Sequence, residues 1–134
     1  MDMHLSGGGL AALWRHPMAH AAGAFVGMGL WAVLANRRHP LPDALAAGLA
    51  QGLASAAITL VLKRAIEAIA TRAGGVGALV LPPLACFAVS AALLLAIHSA
   101  AGTPEIAATI AVPLAISTAY GALYSLAIWR KAGR

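Results

Sequence analysis

The chain has 134 residues, of which 61% are hydrophobic and 10% charged, with a formal net charge of +5. A soluble domain of this length exposes much of its area and carries about 25% charged residues to cover it, so this composition excludes that class and points to a chain that turns apolar surface toward lipid. The excess of base does not imply nucleic acid as a partner: the Lys and Arg residues sit at the ends of apolar runs, where they meet anionic headgroups, and form no separate basic face.

Ser6-Gly7-Gly8-Gly9 reads as an irregular lead-in, and Trp14-Arg15-His16 as an interfacial collar. The first apolar run covers about 18–35 and ends at Asn36-Arg37-Arg38-His39-Pro40. It is long enough to span, the region before it is long and His20 interrupts its start, so it is read as a membrane helix and not as a secretory signal cleaved after Val33-Leu34-Ala35.

The second run, about 43–62, opens on Pro42-Asp43, a residue pair suited to a first helical turn. Its helical pattern continues through 63–72, where Ile66, Ile69 and Ala70 share one face and Lys63, Glu67 and Thr71 another. That predicts an amphipathic extension lying along the headgroups, ended by Gly74-Gly75. The third run, about 76–97, contains Pro82-Pro83, where a kink is expected; a spanning helix tolerates such a pair when neighbours satisfy the freed carbonyls. The fourth, about 104–128, follows a tight turn, with Thr103, Pro104 and Glu105 read as N-cap, N1 and N2.

These runs predict an all-α, single-domain bundle over 1–134, with four transmembrane helices and short antiparallel connections. Seven Lys and Arg residues (15, 63, 64, 72, 130, 131, 134) fall on one side, and only Arg37 and Arg38 on the other. By the positive-inside rule both termini are expected in the cytoplasm, with the protein in a bacterial-type inner membrane.

Two polar lines carry the candidate chemistry. On the second helix Gln51, Ser55, Thr59, Lys63 and Glu67 recur every four residues. On the fourth, Glu105, Thr109, Pro113, Ser117, Tyr120 and Tyr124 keep to one side. Gln51, Ser55, Thr59, Glu105, Thr109, Ser117, Tyr120 and Tyr124 are therefore candidates for a polar groove, or alternatively for interhelical hydrogen bonding. Gly23 with Gly27, and Gly48 with Gly52, form two small-residue seams expected to serve close helix packing. Asp43, Glu67 and Glu105 lie at helix ends, so a proton relay through a buried acid is not expected.

His39, His98 and Glu105 are expected together at the outer surface and form the best geometric candidate for a metal, although no ligand motif supports one and no cofactor is predicted. Cys86, alone and deep in an apolar helix, is expected to be inert. No constellation suited to catalysis is visible. The leading expectation is a non-catalytic subunit or accessory protein that forms a homo-oligomer or docks on another membrane protein. The alternative is a small transporter or channel that moves a solute or lipid-linked substrate along the polar faces of helices two and four.

Overall fold

The structure, a computed structural model, describes residues 15–133 together with Gly9 and Ala12. Ser6-Gly7-Gly8, Trp14 and Arg134 lie outside the described residues, while Gly9, expected in an irregular lead-in, is helical. The chain forms α1 (Pro17–Ala35), α2 (Leu41–Arg72), α3 (Gly77–Ala101) and α4 (Ile106–Ala132). Each is long and apolar enough to cross a membrane, and together they make a multi-pass helical membrane protein. The N-terminus of α1, the α2–α3 connection and the C-terminus of α4 share one end of the bundle, here called the basic end; the α1–α2 and α3–α4 connections make the far end.

Local chemistry accounts for the boundaries. Pro17 opens α1 behind His16, whose Nδ1 accepts the Met18 N–H at 3.2 Å. Gly102 closes α3 in the left-handed region at φ 67°, and the Thr103 N–H then reaches back to the His98 carbonyl at 3.0 Å. The fourth helix starts later than expected, with Glu105 as N-cap, because the Thr103 hydroxyl is engaged by His98. The second helix corrects another expectation. Residues 63–72 extend the second helix as expected, but as the straight, unbroken end of a 32-residue α2, about 48 Å long at 1.5 Å per residue, and not as a segment turned along the headgroups. Ile66 and Ala70 are buried there, since α3 and α4 also run on to this end and give them partners.

Helix α2 touches all three other helices, whereas α1 and α3 do not touch each other. In lipid, apolar burial gives little reason for helices to associate, so close backbone approach and interhelical hydrogen bonds carry the packing. Between α1 and α2 the approach is made at Gly29, Gly48 and Gly52. A Cβ on Gly48 would lie 2.5 Å from Val33 Cγ2, and one on Gly52 would lie 2.9 Å from the Phe25 carbonyl oxygen. Gly23 and Gly27 take no part: a Cβ on either meets nothing within 4 Å, so the seam expected on α1 does not form within the chain. A glycine spacing of four marks a face but not which way it turns, and the α1 face that meets α2 carries Gly29 instead.

Between α3 and α4, Gly121 lies against Pro83 and Cys86, where an added Cβ would come within 2.9 Å of Cys86 Sγ. Helix α3 continues through Pro82 and Pro83. Proline 83 has no N–H for the Leu79 carbonyl four residues back, and that carbonyl instead accepts the Ser125 hydroxyl of α4 at 3.2 Å. Away from these seams, Leu41, Leu45, Leu49 and Leu53 form an exposed stripe along α2, the face that meets acyl chains.

Candidate functional site

Polar side chains gather in two places, a sealed cluster toward the far end and an open cleft at the basic end. The cluster begins with Asn36, fully buried at the end of α1. Its amide donates to the Ala32 carbonyl and to Thr109 Oγ1, both at 2.8 Å, and its oxygen accepts the Glu105 N–H at 3.0 Å. Outside it, His39 meets Glu105 at 2.9 Å, and the Trp31 indole N–H donates to the Ala108 carbonyl at 3.1 Å. These contacts bind the end of α1 to the start of α4.

A second chain of hydrogen bonds runs inward from the α3–α4 turn. His98, fully buried, is within 2.8 Å of Thr103 Oγ1 through Nδ1 and within 2.8 Å of Gln51 Oε1 through Nε2. Gln51 Nε2 donates in turn to Ser55 Oγ at 2.7 Å. With the Gln51 amide nitrogen on Ser55, its oxygen faces the histidine, and His98 Nε2 is the donor in that arrangement. In the neutral ring Nδ1 then accepts from the Thr103 hydroxyl, so every donor points the same way and the series ends on Ser55. The Ser55 hydroxyl proton has no protein acceptor among the described residues and is available to the space beyond.

That space is a cleft of about 900 Å³ between α1, α2 and α4. Toward the basic end α1 and α4 no longer touch through the ties above, and Arg15 together with α1 from Pro17 to Met28 contributes one wall. Ser55 and Thr59 of α2 line it beside Ser117, Tyr120 and Tyr124 of α4. The two tyrosine rings stack with centroids 5.6 Å apart and planes 8° from parallel. The Tyr124 hydroxyl donates to the Glu67 carboxylate at 2.5 Å, and Ser117 donates to the Leu114 carbonyl of its own helix at 3.1 Å, which leaves the serine's lone pairs toward the cleft. Arg15, Lys63 and Arg64 stand at the mouth.

The structure therefore divides the expected groove residues. Ser55, Thr59, Ser117, Tyr120 and Tyr124 share the cleft, whereas Gln51 is turned to His98, Thr109 to Asn36, and Glu105 to His39. The metal trio does not converge. His39 and Glu105 meet, but both ring nitrogens of His98 are engaged inside the bundle, and among the described residues no three His, Cys, Asp or Glu side chains gather. The position of His98 near a helix end predicts a surface side chain; its ring instead points inward, to Gln51. Sequence reasoning also missed Asn36, which reads as a loop residue beside Arg37-Arg38, and the whole α1 wall, whose lining residues follow no polar period. Comparison with protein-family models, curated proteins and solved structures finds no match to this chain.

Proposed function

We propose that the protein is a small membrane transporter that admits a solute or lipid-linked substrate to the cleft between α2 and α4. The observation that carries this reading is the cleft itself, about 900 Å³ in volume, with the hydroxyls of Ser55, Thr59, Ser117, Tyr120 and Tyr124 set in a largely apolar lining. Pockets of about 300–1,000 Å³ with a few placed polar groups are the usual size for small-molecule sites. At the other end the Asn36–Thr109 and Trp31–Ala108 bonds tie α1 to α4, so access is one-sided in this conformation. The excess of Lys and Arg at the basic end supports a cytoplasmic opening, with both termini inside and the protein in a bacterial-type inner membrane.

Proteoliposomes test this directly, with labelled anionic, neutral and lipid-linked probes. The expected result is flux of at least one class above empty vesicles, reduced when Ser117 is replaced by Phe to fill the cleft. No flux for any class, with intact folded protein, removes the transport reading.

A second reading, a non-catalytic subunit that oligomerises or docks on another membrane protein, draws support from Gly23 and Gly27. Among the described residues a Cβ on either would meet nothing within 4 Å, which leaves a smooth strip on α1. Gly48 and Gly52 do not add to it, since their close approaches are already taken by α1.

A further inference from the structure

We infer that the cleft binds an anionic amphiphile, with a phosphate-type headgroup between Arg15, Lys63 and Arg64 and the apolar tail directed inward past the hydroxyls. This deepens the transport reading and rests on it for the cleft being a ligand site.

The lining combines three kinds of side chain. At the basic end are three cations, Arg15 from just before α1 and Lys63 and Arg64 from α2, and further in are the hydroxyls of Thr59, Ser117 and the stacked tyrosines. Met28, Ile58, Leu62 and Leu94 supply apolar wall among and beyond them. An uncharged solute would leave the cations unused, and a small inorganic anion would leave the apolar wall unfilled. A ligand with a charged head and an apolar tail satisfies both.

Among the described residues no carboxylate pairs with Arg15, Lys63 or Arg64, and the one acid–base contact, His39–Glu105, lies at the far end. The one carboxylate in the lining, Glu67, has an oxygen engaged by the Tyr124 hydroxyl, and the sum over the charged lining residues remains +2, three cations less one acid. Arginine suits a phosphate oxygen pair through its planar fork and lysine through a point charge. Beyond Thr59 the Ser55 hydroxyl, which accepts from Gln51, keeps its own proton for an ester or phosphoryl oxygen.

Native mass spectrometry of the full chain in an uncharged detergent tests the proposal, because it resolves each bound species by mass. The probes are dioctanoyl phosphatidic acid, dioctanoyl phosphatidylcholine and inorganic phosphate. Phosphatidic acid is expected to bind at least about tenfold more tightly than the choline lipid, given three basic residues at the headgroup level. The triple variant Arg15→Gln, Lys63→Gln, Arg64→Gln should erase that preference, and Ser117→Phe should weaken phosphatidic acid binding with all three charges in place. Thr59→Trp, at a half-buried position, gives the same readout should Ser117→Phe fail to fold.

A preference untouched by the triple variant overturns the proposal. So does inorganic phosphate binding as tightly as the lipid, which assigns the site to a soluble anion. Equal binding of both lipids, lost on filling the cleft, overturns the anionic class while leaving the cleft as a ligand site. Lipid binding indifferent to both filling variants removes the cleft reading itself.

Discussion

His98 of α3 donates through Nε2 to the amide oxygen of Gln51 on α2, across 2.8 Å and 47 positions of sequence. Both side chains are fully buried, so neither can exchange this partner for water. The bond fixes the Gln51 amide, and through it the hydroxyl that Ser55 presents to the cleft. A packing contact and a feature of the candidate site are thus the same series of hydrogen bonds.

Replacing His98 by Leu should destabilise the protein by about 1–3 kcal/mol, because Gln51 and Thr103 each lose a partner in a buried setting. The double variant Gln51→Leu, His98→Leu should recover much of that loss, since it removes both halves of the bond. Thermal unfolding in detergent measures both. If the double variant loses the sum of what His98→Leu and Gln51→Leu lose separately, the two residues are not coupled.

Ser125→Ala should cost about 0.6–1.7 kcal/mol, the range for interhelical hydrogen bonds in membrane proteins. Its hydroxyl is shared between the Ala122 carbonyl of its own helix, at 3.1 Å, and the Leu79 carbonyl that Pro83 leaves without an N–H, at 3.2 Å. With Pro83→Ala in place the backbone supplies that donor itself, and the cost of Ser125→Ala should fall. A double-mutant cycle reads the difference.

The glycines should separate into two classes. Gly48→Ile places a side chain against Val33 and the Gly29 backbone, and should destabilise the fold by at least about 1–3 kcal/mol, the range for overpacked sites. Gly23→Ile and Gly27→Ile meet open space and should leave the unfolding temperature nearly unchanged. A change in particle size confined to the latter pair, measured by light scattering, would favour the subunit reading.

Cysteine labelling should map the cleft. Cys86 is buried and should react slowly with a membrane-impermeant maleimide, which gives a quiet background. Thr59→Cys should label quickly from the side that carries Lys63 and Arg64, and slowly from the other. Equal labelling from both sides of oriented vesicles would contradict one-sided access.

Much of the architecture was legible in the chain because lipid imposes a simple demand. Each span needs an apolar run of about 20 residues, and basic residues collect at its ends, so span number, order and the shared end of the basic residues follow from composition along the sequence. The four-residue spacing likewise put Ser55 with Thr59, and Ser117 with Tyr120 and Tyr124, on single helix faces. What periodicity cannot give is the rotation of each helix about its own axis relative to its neighbours, and that is where expectation and structure part.

Rotation turned Gly23 and Gly27 outward and brought Gly29 to the α2 contact. It aimed His98 inward at Gln51 and so broke up the trio with His39 and Glu105. It also gave buried Asn36 to Thr109, closing one end of the bundle, while α1 and α4 part to admit a cleft at the other. Membership of a face is a local property, set by 3.6 residues per turn. The partner of that face is decided by close approach and paired polar groups between distant segments, which exist only once the bundle has assembled.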